Sequence, residues 1–329
     1  MKRNHNQPLP HQTDDLFVTD AGFETSMLFH KGFDMPHFAF YPMLETDEGR
    51  AAMRTYFADF FATARKIGAG YILDTNTWRA NPDWARLLGH DLDDLAAINK
   101  SAVTFANMLR HEYGAGLNVL VNGVVGPRGD GYDPEDVMTA EDAESYHGPQ
   151  VGIFADARVD MVSAVTMTNV PEAVGVARAA GDRGLPCIVS FTLETDGRLP
   201  TGETLADAIS QVDAACVHKP AYYMINCAHP DHFAETFGEG GDWVGRIRGL
   251  RANASRMSHA ELDECETLDD GDPHELGAQY AQLQQVLPNL NVVGGCCGTD
   301  HRHVAQICNA MLQPVKTRPG EIETLAGTA

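Results

Sequence analysis

The chain has 329 residues, and its 46 acidic side chains outnumber the 24 basic ones, which gives a formal charge of −22. Phosphate backbones and anionic membrane surfaces repel so acidic a protein, which argues against nucleic acid and membranes as partners. The first residues lack the apolar stretch of a signal peptide, and no apolar run is long enough to span a bilayer. A cytoplasmic location is therefore expected.

Short β-branched runs recur along the chain and predict eight strands. In chain order they are residues 16–20, 71–75, 118–124, 160–165, 187–192, 222–226, 247–252 and 291–294. Between most of them lie amphipathic stretches such as residues 48–69 and 140–159, with apolar residues at three- and four-residue spacing and acidic residues near their starts. This spacing predicts helices.

Strands that alternate with helices pair in parallel, and eight such units in a chain of this length predict an α/β fold, a (β/α)8 barrel of the TIM type. A doubly wound parallel sheet is the alternative. No Pro-, Gly- or Ser-rich linker divides the chain. A single barrel domain is therefore predicted from residue 15 to 315, between a flexible N-terminal segment of residues 1–14 and a C-terminal tail of residues 316–329.

Three of the seven cysteines fall at predicted strand ends, where Cys227 closes the sixth strand and Cys296 and Cys297 follow the eighth. In a barrel of this type the carboxyl ends of the strands face the active site, and the ends of these two strands can converge. Three thiolates form a soft, tetrahedral ligand set that suits Zn²⁺ and leaves a fourth position open. The flanking glycines permit the irregular backbone that adjacent ligands require. The alternative is that the adjacent cysteines pack as small apolar residues in a tight turn.

An open zinc site of this kind suits a substrate thiol, because the metal lowers the thiol pKa and holds it as a nucleophilic thiolate at neutral pH. The pattern therefore predicts alkylation of a thiol. The cysteines are sparse and odd in number, which in a reducing compartment favours thiols, metal ligands or nucleophiles over cross-links.

Six segments of the chain resemble the homocysteine S-methyltransferase family: TDAGFETSM, GYILDTNTWRAN, NGVVGP, SFTLETDGRLPTGETL, YMINCAHP and GGCCGTDHRHVAQI. The resemblance runs from about Leu16 to Met311. That family has betaine-, S-methylmethionine- and cobalamin-dependent members and a zinc-bearing (β/α)8 barrel. The resemblance implies that Cys227, Cys296 and Cys297 are the zinc ligands.

The resemblance also implies how the acceptor is bound. Asp20, at the end of the first strand, matches the family acid that helps to hold the ammonium of homocysteine. The backbone at Ala21 and Gly22 is expected near the homocysteine carboxylate. Asn226, directly before the sixth-strand cysteine, is assigned to the same acceptor site.

The chain departs from the family at the end of the fourth strand. Family members usually carry a glutamate there that assists in binding the amino group of homocysteine, whereas an alignment without gaps places Val165 at that position, followed by Thr166. Loss of an ion pair in a buried site costs on the order of a few kcal/mol, enough to weaken or redirect amino-acid recognition. Glu24 and Glu194 are the candidates to replace it from other strand ends.

A second departure concerns the methyl donor. Betaine-using relatives surround a quaternary ammonium with aromatic rings, whose faces attract cations. After the second strand this chain has Trp78 followed by Arg79, and a cationic arginine repels an onium group unless it binds a donor carboxylate. Phe38, in the first long loop, can rebuild part of an aromatic cage. These three residues are assigned to the donor side, and betaine is not favoured.

The sequence thus predicts a zinc-dependent S-methyltransferase in which a thiol acceptor, homocysteine in the first place, attacks the methyl group of a small onium-type or folate-type donor to give methionine. The acceptor thiolate is the nucleophile, and no separate base is assigned. Two alternatives remain open. One is a zinc hydrolase or lyase with water at the open position. The other is a barrel that binds zinc or an amino acid without catalysis.

Overall fold

Eight parallel strands close into a barrel in which each strand pairs with its neighbours in sequence and the first pairs with the last. The computed structural model describes residues 7–132, 134, 136–238 and 240–312. The strands are β1 Phe17–Val18, β2 Gly70–Asp74, β3 Val119–Val125, β4 Met161–Met167, β5 Cys187–Phe191, β6 Tyr222–Asn226, β7 Ile247–Ala252 and β8 Val292–Gly295. This confirms the (β/α)8 barrel and excludes the doubly wound sheet.

Helices surround the barrel and fill the connections between strands. Within the described residues the α-helices are α1 Phe23–Thr25, α2 Asp47–Ile67, α3 Pro82–Leu87, α4 Leu92–Tyr113, α5 Ala140–Asp156, α6 Val170–Gly181, α7 Leu205–Ala215, α8 Pro230–Phe233, α9 His259–Asp263, α10 Pro273–Val286 and α11 His301–Met311. In the described part of the chain, none of these helices is long and apolar enough to cross a membrane.

The two amphipathic stretches noted in the sequence are confirmed as α2 and α5. Helix α2 begins after Thr46, whose side chain accepts a hydrogen bond from the amide of Gly49 and so satisfies one of the free N–H groups of the first turn. Its apolar face, which includes the fully buried Phe60, packs toward the strands. Burial of this face stabilises the helix and fixes the loops that lead from it to the mouth of the barrel.

Large apolar side chains close the barrel interior at the amino ends of the strands. They come from seven different strands and form one buried cluster: Phe17, Ile72, Leu120, Met161, Ile188, Tyr222, Met224 and Val292. Leu9, from the segment before the first strand, packs against this cluster. The barrel therefore has a closed floor, and a ligand can enter only at the carboxyl ends of the strands.

The segment from residue 7 to 14, part of the N-terminal segment predicted to be flexible, is hydrogen-bonded to residues that directly precede β3 and β8. The Asn291 side chain donates to the carbonyls of Pro10 and Thr13, at 2.8 and 3.0 Å. Asn118 donates to the carbonyl of Pro8 at 3.0 Å. These side-chain amides satisfy the carbonyls of a segment without a sheet partner. Residues 1–6 and the predicted tail of residues 316–329 lie outside the described residues.

Candidate active site

A cavity opens at the carboxyl ends of the strands and gathers most of the predicted site residues. It is lined by Asp20, Ala21, Gly22, Glu24, Phe38, Trp78, Val165, Thr166, Asn226, Cys227, Cys296 and Cys297. Two of the predicted residues lie elsewhere, Arg79 and Glu194, each in the wall of a neighbouring cavity. Asp74, Tyr132 and Arg251 also line the first cavity, although the sequence did not single them out.

The sulfur atoms of the three predicted ligands come together at this mouth. Cys227 follows β6, Cys296 and Cys297 follow β8, and their Sγ atoms all lie within 4.8 Å of one another. The Sγ atoms of Cys227 and Cys296 are in direct contact, and Cys297 is a free thiol. Only reduced cysteines can serve as thiolate ligands, so a metal can bind this group in its reduced form.

Unusual backbone conformations allow this convergence. Cys227 has a positive φ of 55°, in the left-handed region that a non-glycine residue seldom adopts. Gly298 adopts a φ of 78° in the turn after the adjacent cysteines, and a Cβ at Gly294 would collide with the side chain of Thr19, directly after β1. The glycines next to the cysteine pair are thus required by a tight turn and by a close strand contact.

A buried charge cluster lies beside the cysteines. Arg251, at the end of β7, forms ion pairs with both Asp20 and Asp74. Burial raises the pKa of Asp20 to about 7, although the charge of Arg251 opposes this shift. Asp20 thus lines the cavity that contains the cysteines, and it already has a cationic partner. An arginine within the apolar run IRGLRA was the signal in the sequence that would have revealed Arg251.

The backbone amides expected to face an acceptor carboxylate are engaged within the protein. The amide of Ala21 donates to the hydroxyl of Tyr56 at 3.2 Å, and the amide of Gly22 donates to the carbonyl of Thr299 at 3.1 Å. The turn after β1 is packed between helix α2 and the turn after β8, and this packing uses both donors. Both residues line the cavity, and both amides already have an acceptor within the protein.

Glu24 and Val165 lie in the wall of the same cavity. Val165, near the end of β4, offers no carboxylate to this cavity. The acidic residues in the described lining are Asp20, Glu24 and Asp74. The two aspartates share Arg251 as their ion-pair partner, whereas Glu24 has no ion-pair partner within 4.0 Å among the described residues. Burial raises the pKa of Glu24 above its ordinary value. A ligand ammonium would relieve this unfavourable burial.

The side chain of Asn226 forms hydrogen bonds with other residues of the protein. Its side-chain amide donates to Thr166 Oγ1 at 2.8 Å, and its Oδ1 accepts from the Thr166 amide at 3.0 Å and from Ser190 Oγ at 2.6 Å. Thr166 has a positive φ of 63° at an irregularity between β4 and β5. Asn226 therefore holds the end of β4 in a conformation that threonine does not favour by itself.

Glu194, the second candidate to replace the missing acid, contacts a histidine side chain. Its Oε1 lies 3.0 Å from Nδ1 of His259, and Nε2 of that ring donates to the carbonyl of Cys227 at 2.6 Å. Glu194 lines a neighbouring cavity and is not among the lining residues of the cavity that contains the cysteines. Of the two candidates from the sequence, only Glu24 is placed to meet an acceptor beside the sulfurs.

The predicted donor-side residues lie together. Phe38 and Trp78 line both the cysteine cavity and the neighbouring cavity that contains Arg79. The guanidinium of Arg79 packs over the rings of Trp84 and Trp78, at 4.0 and 4.9 Å from their centroids, and pairs with Asp130 at 3.5 Å. The charge of Arg79 is therefore already compensated, which reduces the repulsion of a cationic donor that the sequence suggested.

Comparisons with known proteins agree with this architecture. A sequence model of the family described as homocysteine S-methyltransferase matches residues 17–311. The metallated form of the homocysteine methyltransferase MmuM from Escherichia coli has a TM-score of 0.69 and 20% sequence identity, and the match covers 91% of this chain and 96% of that chain. Its oxidized form also gives 0.69 and 20%, with coverage of 91% and 97%. Its apo form gives 0.63 and 19%, with coverage of 92% and 98%. At such identities the structural similarity shows a shared fold. None of the curated protein sequences matches this chain.

Proposed function

Because this chain belongs to the homocysteine S-methyltransferase family, we propose that it moves a methyl group from a small onium-type donor to homocysteine at a zinc ion held by Cys227, Cys296 and Cys297. Family membership makes the protein a methyltransferase and decides against the hydrolase, the lyase and the non-catalytic barrel. The observation that carries the zinc proposal is the convergence of three sulfur atoms from two strand ends.

The residues present fit a soft metal ion. Three sulfurs without a nearby carboxylate ligand favour zinc over magnesium or calcium, which prefer oxygen. Burial raises the pKa of the Cys297 thiol to about 11, so a cation beside it is needed for the sulfur to ionise at neutral pH. When bound, zinc supplies a Lewis acid that lowers the pKa of a coordinated substrate thiol.

The acceptor's ammonium is proposed to pair with Glu24. This carboxylate lies in the cysteine cavity and, unlike Asp20 and Asp74, has no described ion-pair partner. Asp20 and Asp74 both pair with the single positive charge of Arg251, so together they contribute a further negative charge. Glu24, in α1 after the first strand, thus takes the place of the acid that this family usually carries at the end of β4. Val165 instead provides an apolar contact for the acceptor's side chain.

The donor is proposed to enter through the neighbouring cavity, past Phe38 and Trp78. Both rings line that cavity and the cysteine cavity, and Cys297 is also in the wall of both. Aromatic faces attract an onium group, and Arg79, with its partner Asp130, lies at the outer side where a polar group of the donor would bind. In the transfer, the acceptor sulfur forms a bond to the methyl carbon while the bond between that carbon and the donor heteroatom breaks, and its electron pair stays with the donor.

The proposed site requires reduced cysteines, which fits a cytoplasmic enzyme of methionine biosynthesis. Thiolate ligands persist in reducing compartments, whereas oxidising ones favour cross-links. A product thioether is also a weaker ligand for zinc than a thiolate, so methionine can leave the site.

The test is titration calorimetry of homocysteine into reduced protein of verified zinc content, with zinc-stripped protein as the control. We expect binding that depends on zinc. The isosteric variant Glu24→Gln should bind about 10- to 100-fold more weakly, because it loses an ion pair in a buried site. Adding Val165→Glu to Glu24→Gln should restore part of the affinity, while the surface variant Glu48→Gln should not change it. Zinc-independent binding, or full affinity in Glu24→Gln, would contradict the proposal.

A further inference from the structure

Tyr132 belongs to the loop between β3 and α5 and reaches the mouth of the barrel. It lines the cysteine cavity and both cavities beside it. The backbone amide of Tyr132 donates to Oδ1 of Asp130 at 2.9 Å, which fixes the loop just before the ring. Neither the sequence motifs nor the site assembled above gives this residue a role.

The hydroxyl of Tyr132 lies 3.7 Å from Sγ of Cys297, the cysteine that remains a free thiol. A phenol hydroxyl is a hydrogen-bond donor, and a thiolate sulfur is an acceptor. When the sulfur is ionised, the hydroxyl can therefore only donate to it. This contact orients the side chain of one proposed metal ligand and withdraws negative charge from its sulfur.

The ring of Tyr132 packs against a second aromatic ring. It stacks on the ring of His259, with the centroids 4.0 Å apart and the planes inclined by 20°. His259 is itself fixed between the carbonyl of Cys227, at 2.6 Å, and Glu194, at 3.0 Å. The stack therefore connects the surroundings of two cysteines on different strands, Cys227 and Cys297.

We propose that Tyr132 is a positioning residue whose hydroxyl supports Cys297 as a metal ligand and whose ring is aligned by His259. This inference rests on the proposed function, in which the three cysteines bind zinc. Groups that hydrogen-bond to metal ligands fix ligand geometry, and their loss typically lowers metal affinity about 10- to 100-fold. Tyr132 lies in a loop, and the spacing of the cysteines in the sequence does not indicate this role.

The test compares Tyr132→Phe with the wild type in the reduced full-length chain. The variant keeps the ring and its stack on His259 but removes the hydroxyl. The matched control is Tyr223→Phe, which removes a hydroxyl that donates to Asp213 at 2.8 Å and does not line the cavity. Zinc affinity is measured by competition with a chromophoric chelator, and the Co²⁺-loaded proteins are compared by their sulfur-to-cobalt absorption bands.

We expect Tyr132→Phe to bind zinc about 10-fold more weakly and to shift the sulfur-to-cobalt band, while Tyr223→Phe matches the wild type. His259→Phe, which keeps a flat ring but loses both hydrogen bonds, should lower zinc affinity by a smaller factor. Equal affinities and identical spectra for Tyr132→Phe and the wild type would overturn the positioning role alone. A reduced wild type that binds no zinc would overturn the proposed function as well.

Discussion

Arg251 forms a buried ion pair with Asp20 at the mouth of the barrel. The same guanidinium pairs with Asp74, so two carboxylates share one positive charge and leave an excess of one negative charge beside the cysteines. The acid that the sequence assigned to the acceptor's ammonium is therefore partly neutralised within the protein. For this reason the proposed acceptor site relies on an additional carboxylate, that of Glu24.

Removing Arg251 should destabilise the fold. Arg251→Met leaves two buried carboxylates without their cation, and loss of one partner of a buried pair typically costs about 3–5 kcal/mol of unfolding free energy. Urea denaturation of the reduced protein measures this change. The double variant Arg251→Met with Asp20→Asn should lose less than Arg251→Met alone, because one of the stranded charges is then absent. Equal losses in both variants would show that the pair is not energetically coupled.

Binding of methionine should strengthen from pH 6 to pH 8. Burial raises the pKa of Asp20 to about 7, so this carboxyl is mainly protonated below that pH and mainly ionised above it. Only the ionised form attracts the ammonium, and the affinity should rise as the proton leaves, by up to about 10-fold for a single group. Methionine has no thiol whose ionisation would add to the effect. Calorimetry at the two pH values should show a flatter profile for Asp20→Asn.

Zinc content should depend on Cys297. In Cys297→Ser one of three sulfur ligands is replaced by a hydroxyl, a poor ligand for a soft metal site. Metal analysis of the reduced protein should show loss of bound zinc, and methyl transfer should fall about 100-fold or more. Cys216→Ser, at the end of α7 and outside the cavity lining, is the control and should keep its zinc. Full zinc and full activity in Cys297→Ser would rule out the three-sulfur site.

Asn226→Ala should weaken both the fold and the site. The variant loses three hydrogen bonds and leaves the amide of Thr166 without its acceptor, at a cost of about 1–3 kcal/mol for each buried group left unsatisfied. Because Thr166 then loses the support for its left-handed backbone, kcat should fall together with stability. Ser190→Ala, which removes only one of these bonds, should have the smaller effect on kcat and on the urea midpoint.

Much of the architecture was predictable from local patterns. The eight strands were predicted within two residues of their observed ends. Strands and helices can be predicted in this way because the spacing of apolar residues within a short stretch of sequence indicates its secondary structure. The three cysteines were predictable as a group for a related reason. Once the chain is read as a barrel, strand ends six and eight face the same mouth, whatever the details of packing.

The charges of the site were not predictable in this way. Arg251 on β7 and Asp74 on β2 meet Asp20 from the turn after β1. Tyr132 meets Cys297 from a loop 165 positions away in the sequence. The contact between the sulfur atoms of Cys227 and Cys296 likewise joins residues 69 positions apart. Only the closed barrel decides which side chains share a cation and which carboxylate remains unpaired.

The amino-acid sequence by itself thus determined the barrel, the order of its strands and the cysteines at its mouth, because hydrophobic periodicity and strand-end position are local properties of the chain. The tertiary structure decided that Asp20 is paired, that Glu24 has no ion-pair partner among the residues that the structure describes, and that the Ala21 and Gly22 amides already have acceptors. These outcomes depend on distances between side chains from different strands, and burial makes each unmatched charge costly enough to matter.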